Sequence, residues 1–346
     1  MDNTFTLCMI VKDEEKVIKR CIDSVKKALG NKFSYWVIAD TGSTDKTRQI
    51  IKEELKDIPG ELLEHKWESF GVNRTKVFDA AYRRSDWNIL MDADMIIEGQ
   101  VYLEGITADA LNCFVRSDNM VWRLPLISSA QMKFSYKGAA HEYLDCVEPY
   151  TMHNYDEIIF DHFSDGHSSG SAQRNLDLLL AQDEYSARDY FYIGQSYGEL
   201  GMKDKAVESY LKHIEVADFV EESFISRYRI GCLRRDVGLL LEAWNFRPWR
   251  IEPLYEAVLL LREKEMFLAA TKVAEMGLGA AYPSQDALFI QKDVYDYGLL
   301  YHYSICLDYV DRPKAIRAFK EILGTPGIPE YVRSATEANL KLATSG

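Results

Sequence analysis

Residues 87–95, WNILMDADM, decide how the N-terminal half of this chain is read. Trp87 to Met91 form a short, unbroken apolar run, the pattern of a strand covered on both faces, and the run stops abruptly at two carboxylates, Asp92 and Asp94. Residues two apart on an extended chain point the same way, so both acids emerge together just beyond a strand end. Paired hard oxygen donors of this kind suit Mg²⁺ or Mn²⁺ shared with the phosphates of a nucleotide.

Working outward, the same design recurs upstream. Thr6 to Val11 (TLCMIV) reads as a buried strand that runs into KDEE, and Tyr35 to Ala39 (YWVIA) as a second that runs into DTGSTDKT. Between them, Glu14 to Leu29 carries Val17, Ile18, Cys21, Ile22, Val25 and Leu29 at helical spacing. A second helix is expected to open at a cap formed by Ser43 or Thr44 and to run to Leu55. A third strand is expected over Glu61 to Trp67 and a third helix over Val72 to Arg83, whose start, with Asn73 and Arg74, either faces the strand-end rim or is an ordinary exposed helix start. The order β-α-β-α-β-α-β predicts a mainly parallel sheet with helices on both faces, which binds ligands at the carboxyl ends of its strands. One acid at a strand end is often only a helix cap, but three strand ends delivering carboxylates to one rim imply a cation or a hydrogen-bonding ligand between them. Farther on, LNCFVR, VWRLPLI, FSYKG and EIIF, between Asn112 and Phe163, predict an antiparallel edge to this sheet.

The texture changes after His167. SSGS (168–171) is a small polar hinge, and nearly everything beyond Arg174 has helical periodicity. Tyr190, Ile193, Gly194, Tyr197, Gly201, Ala206 and Tyr210 fall at the spacings of the tetratricopeptide unit, a helix pair of about 34 residues. Fainter copies follow at Ile230, Gly231 and Ala243, at Ala257 and Ala269, and at Ala315 and Phe319 with Pro326 beyond. Such units bury their apolar faces only by stacking, so several in a row make physical sense where one does not. The predicted domains are therefore residues 1–170 and 171–346.

Composition agrees with two globular domains: 346 residues, 47% hydrophobic and 27% charged. The six cysteines are scattered without a CxxC pair, so reduced core thiols are expected rather than a zinc site. A net charge of −13 argues against broad adhesion to nucleic acid or anionic lipid. No stretch approaches the roughly 20 apolar residues that a membrane span needs, and the cytoplasm is the expected location. A nucleotidyltransferase would need a glycine-rich, basic loop after the first strand, whereas VKDEE (11–15) is the opposite. A non-catalytic protein that binds partners through its repeats is the other alternative to an enzyme.

The first domain resembles a family 2 glycosyltransferase of the GT-A fold, a Rossmann-like mixed sheet, through VIADTGSTDKT, FGVNRTKVFDAA, ILMDADM and GAAHEYL. Through DHFSDGHSSG, YFYIGQSYGELG and RPWRIEPLYEAVLLLR the whole chain resembles the tetratricopeptide-containing branch of that family. The resemblance implies metal-dependent, inverting transfer of a sugar from a UDP- or GDP-sugar to a glycan, protein or small-molecule acceptor. It implies nucleoside contacts from Val11, Asp13, Glu14 and Asp40, a sugar or phosphate contact from Arg74, and a diphosphate contact from Arg174. Asp92 would touch the ribose or a metal-bound water, Asp94 would hold Mn²⁺ or Mg²⁺, and His162, with His167 as a second candidate, would supply a further ligand. Glu142 sits where the family places its catalytic base, with His141 as the other candidate for that role or as a residue that orients the acceptor or Glu142. The repeats could hold a polypeptide, position a glycan or pack a homodimer; membrane insertion and nucleic-acid binding are not expected.

Overall fold

The computed structural model describes residues 3–117, 120–163 and 170–345. Continuous apolar runs form the centre of the first unit. Strands β1 (Phe5–Val11), β2 (Phe33–Asp40), β3 (Gly60–Glu64) and β4 (Trp87–Leu90) lie parallel in the order β3-β2-β1-β4. The sheet continues through β7 (Met120–Ser129), β6 (Ala110–Ser117), β10 (Met152–His162) and β5 (Met95–Glu98), with β4·β7, β6·β7 and β10·β5 antiparallel and β10·β6 parallel. A separate hairpin joins β8 (Phe134–Lys137) to β9 (Tyr143–Cys146).

The two-residue alternation of strands gives the sheet two apolar faces. Leu7, Met9, Ile38 and Ile89 face α1 (Ile18–Leu29), whose Ile18, Cys21, Ile22 and Val25 are fully buried, and Ile51 of α2 (Thr47–Glu54) joins the same core. On the other face, Cys8, Val37, Ala39 and Leu90 meet Val77, Phe78 and Ala81 of α3 (Phe70–Ala81), together with Phe134 and Tyr136 from the hairpin. The six cysteines are free thiols, and burial pushes the thiols of Cys8 and Cys21 well above the ordinary range.

Three helix starts differ from expectation for local reasons. Residues 14–17 are a turn before α1, because the backbone N–H groups of Glu14 and Glu15 donate to Thr47 Oγ1 and Asp45 Oδ2 across the sheet edge. Ser43 and Thr44 do not cap α2: Ser43 Oγ accepts from Asp13 N, and Thr44 N and Oγ1 donate to Asp13 Oδ1. Helix α3 begins earlier, at Phe70, because Ser69 Oγ accepts from Val72 N. Asn73 is buried; it accepts from Glu68 N and donates to Lys66 O, folding the approach to the helix against it.

The chain divides into compact units at 184/185 rather than after residue 170. Helix α4 (Ser171–Leu180) belongs to the first unit, where Arg174 lies over the Phe70 ring at 5.3 Å and Asn175 reaches His141.

In the second unit, antiparallel helix pairs follow one another: α5 (Ala187–Glu199) with α6 (Lys203–Val216), α7 (Val220–Arg234) with α8 (Val237–Phe246), α9 (Glu252–Glu263) with α10 (Phe267–Glu275), and α11 (Leu299–Asp308) with α12 (Arg312–Gly324), closed by α13 (Glu330–Ser345). Two glycines explain the close pairing. A Cβ on Gly194 would stand 2.8 Å from the Tyr210 ring, and one on Gly231 would stand 2.8 Å from Leu240. In the third pair the buried small residue is Ala270, one position beyond the expected Ala269, which is half-buried. The interval between α10 and α11 is held by an ion network in which fully buried Arg250 meets Glu252 and Asp286, and Glu221 accepts from Ala287 N and Leu288 N.

His302 is half-buried on α11, with its Nδ1 accepting from Arg262. Burial, reinforced by the Arg262 charge, drives its pKa from 6.5 down to about 4. The unfolded chain therefore binds a proton at higher pH than the folded one, so this contribution is complete above about pH 6.5 and drains away as pH falls towards 4. Urea unfolding at pH 7 and pH 4.5 should show a loss of about 2–3 kcal/mol attributable to this group, absent in His302→Gln.

Candidate active site

Because the four parallel strands end on one edge, each deposits its last residues there. Val11 and Asp40 are register partners at the ends of β1 and β2, and Thr41 donates to Val11 O through both its N–H and its hydroxyl. Asp40 is 2% exposed. Its Oδ1 accepts from Gly42 N at 3.0 Å and Ser43 N at 2.9 Å, with Arg48 Nε 3.8 Å away. Its Oδ2 is buried with no hydrogen-bond partner among the described residues. A buried carboxylate oxygen lacking a donor is costly, and it is a ready acceptor for an incoming N–H or hydroxyl. Asp13, at φ +55°, is locked into the loop after β2 by Thr44, whose hydrogen bonds hold the carboxyl below its ordinary pKa. Glu14 enters the same lattice through its backbone.

The centre of the site depends on how α3 docks. Gly71 lies so close to the hairpin that a Cβ there would stand 2.5 Å from Gly138 O and 3.0 Å from Tyr136 O. Thr75 Oγ1 accepts from Tyr136 N, and Phe70 N donates to Ala139 O. One turn along, Arg74 is therefore driven between two acids: its NH2 lies 2.7 Å from Asp92 Oδ1, and its Nε lies 2.8 Å from Glu142 Oε1. The first is a hydrogen bond. The second is a charge contact only, for the Nε–H has no acceptor in line with it. Burial alone would lower the pKa of Arg74, and the fields of Asp92 and Glu142 outweigh it, so the guanidinium is more firmly charged than usual. Below it, Tyr136 is buried, its hydroxyl is unpartnered among the described residues, and its pKa is raised by that burial.

Glu142 is carried by a tight turn. Gly138 has φ +103° and His141 φ +51°, a left-handed conformation that a non-glycine residue adopts at a cost, and such strain concentrates at functional sites. The Glu142 side chain is only 7% exposed.

A third group lies beside the second. Strand β5, which the sequence pattern does not suggest, pairs Met95 with His162 of β10, and Phe163 N donates to Asp94 O. This sets His162 Nε2 3.4 Å from Asp94 Oδ2. A carboxylate and an imidazole nitrogen fit Mn²⁺ or Mg²⁺ with phosphate oxygens and water completing the shell. Asp92, engaged by Arg74, does not complete a protein-only triad; among the described residues no three His, Cys, Asp or Glu side chains converge as a metal cage. Arg174 sits at the start of α4 over Phe70. His167 lies outside the described residues. Asn175, which nothing in its sequence context marks, also belongs to this region through His141.

Since the Gly71 contact is with backbone, Gly71→Ala forces α3 away from the hairpin. It should cost about 1–3 kcal/mol in denaturant unfolding, the usual effect of overpacking. Unfolding at the wild-type midpoint would show that the docking is loose.

Part of the first unit is similar to known proteins. Residues 6–110 match the family model described as Glycosyl transferase family 2. The SPbeta prophage-derived glycosyltransferase SunS of Bacillus subtilis (strain 168) is 37% identical over 92 residues, 26% of this chain and 20% of SunS. A TPR repeat-containing protein of Synechococcus elongatus is 36% identical over 90 residues, 26% of this chain and 20% of that protein. The matched part thus spans about a fifth of the length of these relatives. Among solved structures, residues 1–349 of S. aureus TarS align over 79% of this chain and 90% of that chain at 12% identity, with a TM-score of 0.36. Residues 6–110 form a family 2 glycosyltransferase domain.

Proposed function

We propose that the chain is a glycosyltransferase that moves a sugar from a nucleotide-diphosphate sugar to an acceptor nucleophile, with inversion, at the carboxyl edge of its first unit. The observation that carries this reading is the placement of Arg74 between Asp92, at the end of β4, and Glu142, on the hairpin turn. A buried guanidinium flanked by a donor-side and an acceptor-side carboxylate suits displacement of a diphosphate.

In this reading Asp40 Oδ2 accepts from the base or ribose, with Val11, Asp13 and Glu14 forming the rest of the nucleoside pocket. Arg74 and Arg174 meet the phosphates. Asp94 and His162 hold the divalent cation, which offsets charge on the departing diphosphate when bound. Glu142 takes the proton from the acceptor as it attacks the anomeric carbon from the face opposite the leaving group. The new bond forms as the bond from the anomeric carbon to the phosphate oxygen breaks, the electron pair leaves with the nucleoside diphosphate, and the anomeric configuration inverts. The acceptor is a glycan, protein or small molecule, and the helical unit is the surface on which it or a second copy of the chain would be held.

A panel of UDP- and GDP-sugars, with and without Mn²⁺, should identify a donor that raises the melting temperature in a metal-dependent way. Asp94→Ala should abolish the metal-dependent part of that rise. Glu142→Gln should keep donor binding while lowering kcat by about 10²–10⁴-fold, the range for loss of a general base. Full turnover by Glu142→Gln at saturating acceptor would remove Glu142 from the role of base, and a wild-type chain that binds no nucleotide sugar would favour a partner-binding protein over an enzyme.

A further inference from the structure

The turn that carries Glu142 has a second support, supplied by α4. Asn175 Nδ2 lies 3.4 Å from His141 Nε2. Asn175 Oδ1 is buried with no hydrogen-bond partner among the described residues. An orphaned amide oxygen costs about 1–3 kcal/mol, so a side chain chosen for stability alone would not be an amide here. Asn175 shares its helix with Leu176 and Leu179, which are buried and fix its position, and with Arg174 over Phe70. His141 in turn occupies a left-handed backbone conformation immediately before Glu142, in the same turn.

We infer that Asn175 is a positioning residue for sugar transfer: its carboxamide holds the His141 ring, and through it the 138–142 turn, in the arrangement that presents Glu142 to the acceptor. The inference rests on the transfer reading above and adds a residue to it. With Nδ2 donating, His141 Nε2 carries the lone pair and the ring proton sits on Nδ1. An aspartate at 175 can only accept, so it would draw the proton onto Nε2. An alanine would leave the ring without this restraint.

The test uses the full chain labelled with ¹⁵N-histidine, in which only seven histidines contribute and His141→Gln identifies the resonance. The wild type should show His141 in one tautomer with the lone pair on Nε2. Asn175→Asp should move the proton to Nε2, and Asn175→Ala should lower the share of the tautomer with the lone pair on Nε2. In transfer assays Asn175→Ala should lower kcat by about 10- to 100-fold, the usual effect of losing an orienting partner, with the donor KM and melting temperature close to wild type. In a His141→Ala background, Asn175→Ala should cause no further loss, because the two residues act in series. A His141 spectrum identical in all three proteins, or rate losses that multiply in the double variant, would overturn the assignment of Asn175. A wild-type chain that transfers no sugar would instead overturn the function and the kinetic role together, while the spectrum would still report whether the contact exists.

Discussion

The site depends on one buried cation. A guanidinium withdrawn from water is tolerated only with anions beside it, and Arg74 has two, Asp92 and Glu142, from segments 50 residues apart in the chain. In turn, its nitrogens lie 2.7 Å from Asp92 Oδ1 and 2.8 Å from Glu142 Oε1. The geometry that permits the three to meet is steric: Gly71 lets α3 sit directly on the hairpin backbone, and the next turn of helix carries Arg74 to the acids. Charge balance and backbone contact thus reinforce one another, so a change in either is felt at both carboxylates.

Around this centre, the sheet topology sorts the remaining groups by task. Parallel strands β1 and β2 bring Val11 and the buried Asp40 together on one side. The antiparallel pairing of β5 with β10 brings Asp94 and His162 together on the other. The DAD segment lies between, with its first acid turned to Arg74 and its second to His162. Two residues that leave a strand together thereby serve different partners.

Much of this was legible in the sequence. Strands β1, β2 and β4 stand out because they are covered on both faces and read as unbroken apolar runs, and the acids after them mark the rim. Gly194, Ala206 and Tyr210 revealed the first helix pair because close packing demands small residues opposite a ring. Other features were hidden for physical reasons. Strand β5, MIIE, is four residues long and follows the acids directly, so no turn signal separates it from them. The hydroxyls of Ser43 and Thr44 look like helix caps but are engaged by Asp13, a contact across 30 residues that local pattern does not encode. The burial of Asn73 is not encoded locally either, because its amide satisfies the backbone on either side of Trp67. Asn175 has no periodic or motif signal, and its relation to His141 appears only when α4 is assigned to the first unit.

In the proposed reading, a single bound nucleotide sugar joins Asp40, the Arg74 cluster and the Asp94–His162 pair. A crystal structure of the chain with Mn²⁺ and the donor that stabilises it tests this most directly. The account predicts anomalous density for the metal between Asp94, His162 and the diphosphate, the base or ribose on Asp40 Oδ2, and the anomeric carbon facing Glu142. Donor bound away from this edge, or metal held by other residues, would contradict it.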